Sequence, residues 1–271
     1  MTDPRIAALS IPNFRDVGGH ATAHGGRVRS GRLYRSVALD TASDQDLVTL
    51  TALGVTTIVD MRRPDEQSLR PDRLPEGAEL LSLDVFADGE DAATADIHAV
   101  IAHLREPERV DTRLDVDDME RFQLASYYDL VMLGSARQAY ATFFRTLATT
   151  DGASLVHCTG GKDRTGWAVA SLLALLGVPR GDVFADYLVS DQSVRRMFAD
   201  AIDDFVARGG RRAVIEAMFG ARHSYLAAAF DAVDREFGSI EGYFGEGLGL
   251  EAEVTGALRS GFLDARGTVR P

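Results

Sequence analysis

The sequence predicts an α/β fold: a central, mostly parallel β-sheet flanked by helices, with a helical C-terminal part. Three observations carry this expectation. Val55-Thr-Thr-Ile-Val-Asp60 and Leu155-Val156 are β-branched or apolar runs that read as buried strands. A helix-like stretch through Leu47, Val48 and Leu50 precedes the first, and another, from Arg164 to Leu176, follows the second. Beyond it the pattern is almost wholly helical.

From the N-terminus, residues 5–11 are expected as a lead-in with some β character. Asn13-Phe-Arg-Asp16 and Gly18-Gly19 make a turn, and residues 20–26 a hairpin turning at Gly25-Gly26. Arg32-Leu-Tyr-Arg-Ser36 reads as a strand, and Arg35 as added charge for a pocket. Ser43 is a good N-cap for a helix reaching Gly54. Asp60-Met-Arg-Arg-Pro-Asp-Glu66 leaves the carboxyl end of a buried strand, where open α/β sheets gather ligands. Asp60 is therefore a candidate acid or hydrogen-bonding brace. Residues 80–85 read as a further strand.

Residues 88–120 are expected to be a mobile acidic insertion. Ile97, Val100, Ile101 and Leu104 carry helical spacing up to Pro107. Asp111, Asp115, Asp117, Asp118 and Glu120 cluster without the glycine of a calcium loop. Residues 126–133 and 135–147 read as helices packed on the sheet. Later, Ser190 is expected to cap a helix over 194–206, Gly209-Gly210 to break it, and residues 211–219 to form its partner. Helices over 227–237 and 251–263 close the fold. With no repeat or linker, residues 1–271 read as one domain.

The 271 residues are 45% hydrophobic and 26% charged, an ordinary globular composition. One cysteine excludes a disulfide framework and a Cys-rich metal site, and the six histidines show no ligand spacing. No metal and no cofactor are expected. Lys and Arg number 29 against 41 Asp and Glu, a net charge of −12, which repels nucleic acid. No apolar run approaches a membrane span. The first residues lack the regions of a signal peptide, so the cytoplasm is the expected location.

The chemistry concentrates in Ser154-Leu-Val-His-Cys-Thr-Gly-Gly-Lys-Asp-Arg-Thr-Gly-Trp167. Strand, Gly-rich loop and helix N-terminus follow one another, so consecutive N–H groups point into one concavity that suits an anion. Cys158 stands on its floor. Oriented amides and a guanidinium favour the thiolate, the nucleophilic form. Arg164, six residues on, offers a planar fork to two phosphoryl oxygens. Gly160 and Gly161 let the backbone approach the anion. His157 holds the Cys158 backbone or lowers the thiol pKa, and Thr165 is placed to donate a hydroxyl hydrogen bond to the sulfur. Asp163 lies beside the bound dianion, where like charge favours its protonated form. A nucleotide P-loop does not fit, because Gly161-Lys162 is followed by Asp163 and preceded at the glycine position by Val156. A buried core cysteine is the bland alternative, and a rhodanese-like sulfurtransferase the chemical one.

These residues resemble the Cys-x5-Arg signature of cysteine-dependent phosphatases. More narrowly, His-Cys-Thr-Gly-Gly-Lys-Asp-Arg-Thr-Gly resembles the loop of a bacterial family of tyrosine, dual-specificity and lipid phosphatases. Asn13-Phe-Arg-Asp-Val-Gly-Gly19, Leu33-Tyr-Arg-Ser36, Thr57-Ile-Val-Asp-Met-Arg-Arg-Pro-Asp-Glu66, Tyr187-Leu-Val-Ser190 and Phe237-Gly-Ser-Ile-Glu-Gly-Tyr243 extend the likeness over most of the chain. The family usually has alanine where Gly160 stands. The resemblance implies a cysteine-phosphatase-like fold and phosphomonoester hydrolysis through a phosphocysteine. Cys158, Asp163 and Arg164 would be catalytic. His157, Thr159, Gly160, Gly161, Lys162 and Thr165 would bind substrate, with Arg15 and Asp16 bracing the loop and Asp60 the runner-up for the acid. It implies a phosphorylated protein or phosphoinositide as substrate, the latter linked to Lys162 at the rim, and inorganic phosphate as product. Residues 191–225 would form the lid. The resemblance also leaves export without a signal open. A phosphate-reading module without turnover is the non-enzymatic alternative.

Overall fold

The computed structural model describes residues 3–89 and 115–264. Five strands form one sheet: β1 (Arg15–Asp16), β2 (Leu33–Ser36), β3 (Val55–Asp60), β4 (Glu79–Ser82) and β5 (Ala153–His157), in the order β1-β2-β5-β3-β4. Only β1 runs antiparallel to its neighbour. β5 is buried along its whole length, as a central parallel strand covered on both faces must be. Its last residue, His157, lies in register with Ser36 of β2 and Asp60 of β3. Three strands therefore end together, and the Gly-rich loop starts from the middle one.

Successive side chains of a strand point to opposite faces. Val59 and Val156 join a large core, while their neighbours Ile58 and Leu155 join a second one. The helices are α1 (Pro4–Ala7), α2 (Asp44–Ala52), α3 (Pro64–Leu69), α4 (Val116–Met132), α5 (Gly134–Thr149), α6 (Asp163–Leu175), α7 (Arg180–Met197), α8 (Ala199–Ala207), α9 (Arg212–Phe219), α10 (His223–Glu236) and α11 (Ala252–Phe262). α2 packs Leu50 into the second core. α6 buries Trp167, Val169, Leu172 and Leu173 in the large one. Between α10 and α11 a π-helical turn, Tyr243–Gly247, brings the Tyr243 hydroxyl to accept from Trp167 Nε1 at 3.1 Å. Truncating Trp167 to alanine would cost about 3–5 kcal/mol by its burial alone.

A third core joins α8, α9 and the end of α7 to Met119 of α4. Phe198 and Phe219 stack within it, centroids 4.1 Å apart.

Several elements differ from the sequence expectation. Residues 4–7 are helical rather than β-like, because Asp3 caps the Arg5 N–H and Pro4 pre-sets the first turn. Ser190 caps nothing. It lies inside α7, buried, and its hydroxyl accepts from Arg15 Nη2 at 3.1 Å. The break after α7 falls at Phe198 instead. Gly209, at φ +91°, does follow the end of α8. α4 starts well before residue 126, under a capping box in which Asp115 and Asp118 exchange hydrogen bonds. Asp115 to Glu120 of the acidic cluster are thus the helix start, and residues 90–114 of the expected insertion, with its helix, lie outside the described residues. No helix among the described residues is long and apolar enough to cross a membrane.

Candidate active site

The loop after β5 is shaped by what stands behind it. Gly161 adopts φ +62°, and a Cβ there would lie 2.0 Å from the Ser36 carbonyl oxygen, so only glycine fits. At Gly160 the nearest atoms to a Cβ are 3.7–3.9 Å away, on Val194 and Phe198, which is room for the alanine usual in the resembled family. The Gly161 carbonyl accepts from Asn13 Nδ2 at 3.0 Å and from Arg35 Nη2 at 2.8 Å. Arg35 is fully buried and pairs with Asp186 at 2.8 Å, while Arg15 takes the other Asp186 oxygen at 2.9 Å. Burial, reinforced by Arg15, pushes Arg35 down to about 10. Burial also opposes the Asp186 charge, but the two guanidiniums win and hold it at about 2.

The bracing expected of Arg15 and Asp16 is therefore indirect. Arg15 acts through Asp186, and Asp16 accepts from the Gly18 and Gly31 N–H groups at 2.7 and 2.8 Å, away from the loop. Asn13 and Arg35 touch the loop itself.

Asp60 is not at the site. It is buried behind the loop and chelated by Arg62 through Nε at 2.9 and 3.1 Å and Nη2 at 2.8 Å. His157 Nδ1 lies 3.2 Å from the Cys158 carbonyl and its Nε2 3.2 Å from Asp72. Asp60, Asp72 and His157 bring three metal-ligating atoms together. However, Arg62 Nη2 is 2.8 Å from both carboxylates and already supplies the balancing charge.

Cys158 is 2% exposed and lies at the base of a cavity of about 120 Å³. Thr159, Gly160, Lys162, Asp163 and Arg164 line it with Cys158. Val194, Phe198, Met218, Phe219 and Phe86 supply apolar wall, and Gln123, Ser126, Arg63 and Glu66 the rest. Arg164 is clamped by Glu66, Nη1 to Oε2 at 2.6 Å and Nη2 to Oε1 at 2.9 Å. Glu66 also accepts from the Thr159 hydroxyl and from the Arg63 N–H at 3.0 Å. Burial works against its charge, and Arg164 overrides this, keeping its carboxyl well below the usual range.

Lys162 is not at the rim. It is 3% exposed, and Nζ donates to the Met218, Phe219 and Gly220 carbonyls at 2.9, 3.2 and 3.1 Å. These carbonyls close α9, so the ammonium sits at a helix C-terminus, where positive charge is favoured. Asp163 opens α6 with its side chain one-third exposed. Its Oδ1 accepts from Tyr127 at 2.7 Å and lies 3.3 Å from Lys162 Nζ. The Thr165 hydroxyl is buried and has no hydrogen-bond partner among the described residues, so the bond expected to the sulfur is not made.

A cavity lined by a cysteine, a fixed guanidinium and a carboxyl can supply a nucleophile, a clamp for an anionic ester and a proton for its leaving group. Comparison with known proteins identifies the family. The profile of the "Tyrosine phosphatase family" matches residues 6–264. A Cupriavidus necator protein provisionally named a tyrosine-protein phosphatase is 35% identical over 94% of this chain and 89% of its own. Triple specificity protein phosphatase PtpB of Mycobacterium tuberculosis is 31% identical over 88% of this chain and 93% of its own. A match to the crystal structure of P. aeruginosa TpbA covers 70% of this chain and 87% of that one at 19% identity, with a TM-score of 0.29.

Proposed function

The chain belongs to the tyrosine phosphatase family, and from that premise we propose that it hydrolyses phosphotyrosine through a phosphocysteine on Cys158. The observation that carries this reading is the placement of Cys158, Asp163 and the Glu66-held Arg164 around one cavity.

Cys158 Sγ attacks phosphorus as the ester P–O bond breaks, and Asp163 gives its proton to the departing oxygen. Loop N–H groups and Arg164 hold the equatorial oxygens as charge develops. A guanidinium has five N–H donors. Glu66 takes one from each Nη, and the Met61 carbonyl takes another from Nη1 at 3.2 Å. The Nε–Nη2 edge is left for two phosphoryl oxygens. Asp163, now a carboxylate, then takes a proton from the water that releases inorganic phosphate.

Phe86, Phe198 and Phe219 suit the flat faces of a phenyl ester. Acceptance of phosphoinositides has less support, because the Lys162 ammonium is taken up by three carbonyls. We take α8 and α9, within 191–225, as a lid, and residues 1–271 as one phosphatase domain.

The test is turnover of an aryl phosphate with chelator present, then of phosphotyrosine, phosphoserine and phosphoinositide substrates side by side. Vanadate should block it, and Cys158→Ser should abolish it. Turnover retained in Cys158→Ser would end the cysteine mechanism.

A further inference from the structure

Behind Asp163 stand two buried phenols that the reaction outlined above does not use. Tyr127 of α4 is fully buried, and its hydroxyl donates to Asp163 Oδ1 at 2.7 Å. The Tyr187 hydroxyl of α7 lies 2.6 Å from the Tyr127 oxygen. A phenol has one proton to give. Since Tyr127 gives its own to Asp163, Tyr187 must donate to Tyr127, and the chain runs in one direction: Tyr187, Tyr127, Asp163. The two rings are packed edge to face, centroids 6.2 Å apart, on two different helices. Phenylalanine would fill the same apolar space, so a pair of buried hydroxyls calls for a reason.

We infer that Tyr127, backed by Tyr187, is a positioning residue that fixes Asp163 Oδ1 as an acceptor and leaves Oδ2 to carry the catalytic proton. The inference rests on the reading of Asp163 as the general acid. Lys162 Nζ, 3.3 Å from the same Oδ1, adds positive charge there. A carboxylic acid has one proton, and the Tyr127 hydroxyl and the nearby ammonium facing Oδ1 exclude it from that oxygen. As the S–P bond forms and the ester P–O bond breaks, the proton passes from Oδ2 to the leaving oxygen. The carboxylate that results is already held by the Tyr127 hydroxyl and the Lys162 charge, so no reorientation is needed before it takes a proton from water. Burial keeps both tyrosines protonated well above the ordinary phenol range, so they remain donors throughout.

The test uses the full chain and a series of aryl phosphates whose leaving phenols run from strongly to weakly acidic. General acid catalysis matters most for the weakly acidic ones. Asp163→Asn should lose on the order of 100-fold or more in kcat on those and far less on the most acidic, tilting the leaving-group plot. Tyr127→Phe should show the same tilt more weakly, roughly tenfold at one end and about threefold or less at the other. KM and inhibition by vanadate should be unchanged, because the anion cup is intact. Tyr187→Phe, which never touches Asp163, should tilt the plot least, and it carries the test if Tyr127→Phe does not fold. A flat loss, or none, in the tyrosine variants while Asp163→Asn tilts would overturn the positioning role alone. No tilt in Asp163→Asn would remove the acid assignment and this inference with it.

Discussion

Replacing Glu66 with alanine strips Arg164 of its clamp. Four hydrogen bonds go: two from the guanidinium, one from the Thr159 hydroxyl and one from the Arg63 N–H. Both side chains of the ion pair are largely buried, 13% and 16% exposed, so water replaces the lost carboxylate only in part. Breaking such a pair from one side leaves a cation without its counter-charge and should destabilise the fold by about 3 kcal/mol, read as a lower urea midpoint. The freed guanidinium can swing away from the cup or turn its fork. Misplacement on the scale of an ångström costs roughly 100-fold in rate. The expected result is a fall of that order in kcat on an aryl phosphate, with weaker vanadate inhibition. Glu66→Gln keeps one acceptor oxygen for the fork and should fall between. An alanine variant within threefold of the parent in kcat and unshifted in urea would show that Glu66 holds nothing the reaction uses.

Three other outcomes follow from the geometry. Gly161→Ala should abolish activity, its Cβ meeting the Ser36 carbonyl at 2.0 Å, whereas Gly160→Ala should retain it, and equal kinetics in the two would contradict the loop geometry. Asp186 has a folded-state carboxyl depressed to about 2 from 3.8, so its stabilisation is complete above the ordinary carboxylate range and lost as pH falls from about 4 to 2. That loss amounts to about 2 kcal/mol, and denaturant titrations of Asp186→Asn should be flatter than the parent's over the same interval. Lys162→Met leaves three carbonyls at the end of α9 without their shared donor, so amide exchange in α9 should speed up; unchanged exchange would show that the ammonium does not hold the helix.

What the sequence made legible was what it keeps contiguous. Cys158 to Arg164 is one unbroken loop, and the periods of β3, β5 and α6 are local. The partners of the loop were hidden because they arrive from far along the chain: Asn13 across 148 positions, Arg35 across 126, Glu66 across 98. Glu66 has one local signal, its place three residues into a helix that opens with Pro64. Tyr127 had none, since a tyrosine on the apolar side of a helix looks like packing. Lys162 reads as rim because lysines are usually solvated; only the fold reveals three carbonyls waiting for it. Ser190 reads as a cap because serine before an apolar run usually is one, and the half-buried Arg15 that claims its hydroxyl is 175 positions away. Residues 4–7 misread as β because a four-residue helix is too short to show a period.

The Lys162 anchorage bears on inhibitor design. Met218 and Phe219 form pocket wall, and the same residues offer their carbonyls to a side chain of the loop; Gln123 Nε2 adds a further tie to Met218 at 3.1 Å. A compound that widens the pocket by wedging α9 aside strands a buried ammonium. To bind well it must bring its own acceptor, a carbonyl or carboxylate, to that nitrogen. A compound built only of aromatic rings should leave the wall where it is and compete for the existing space.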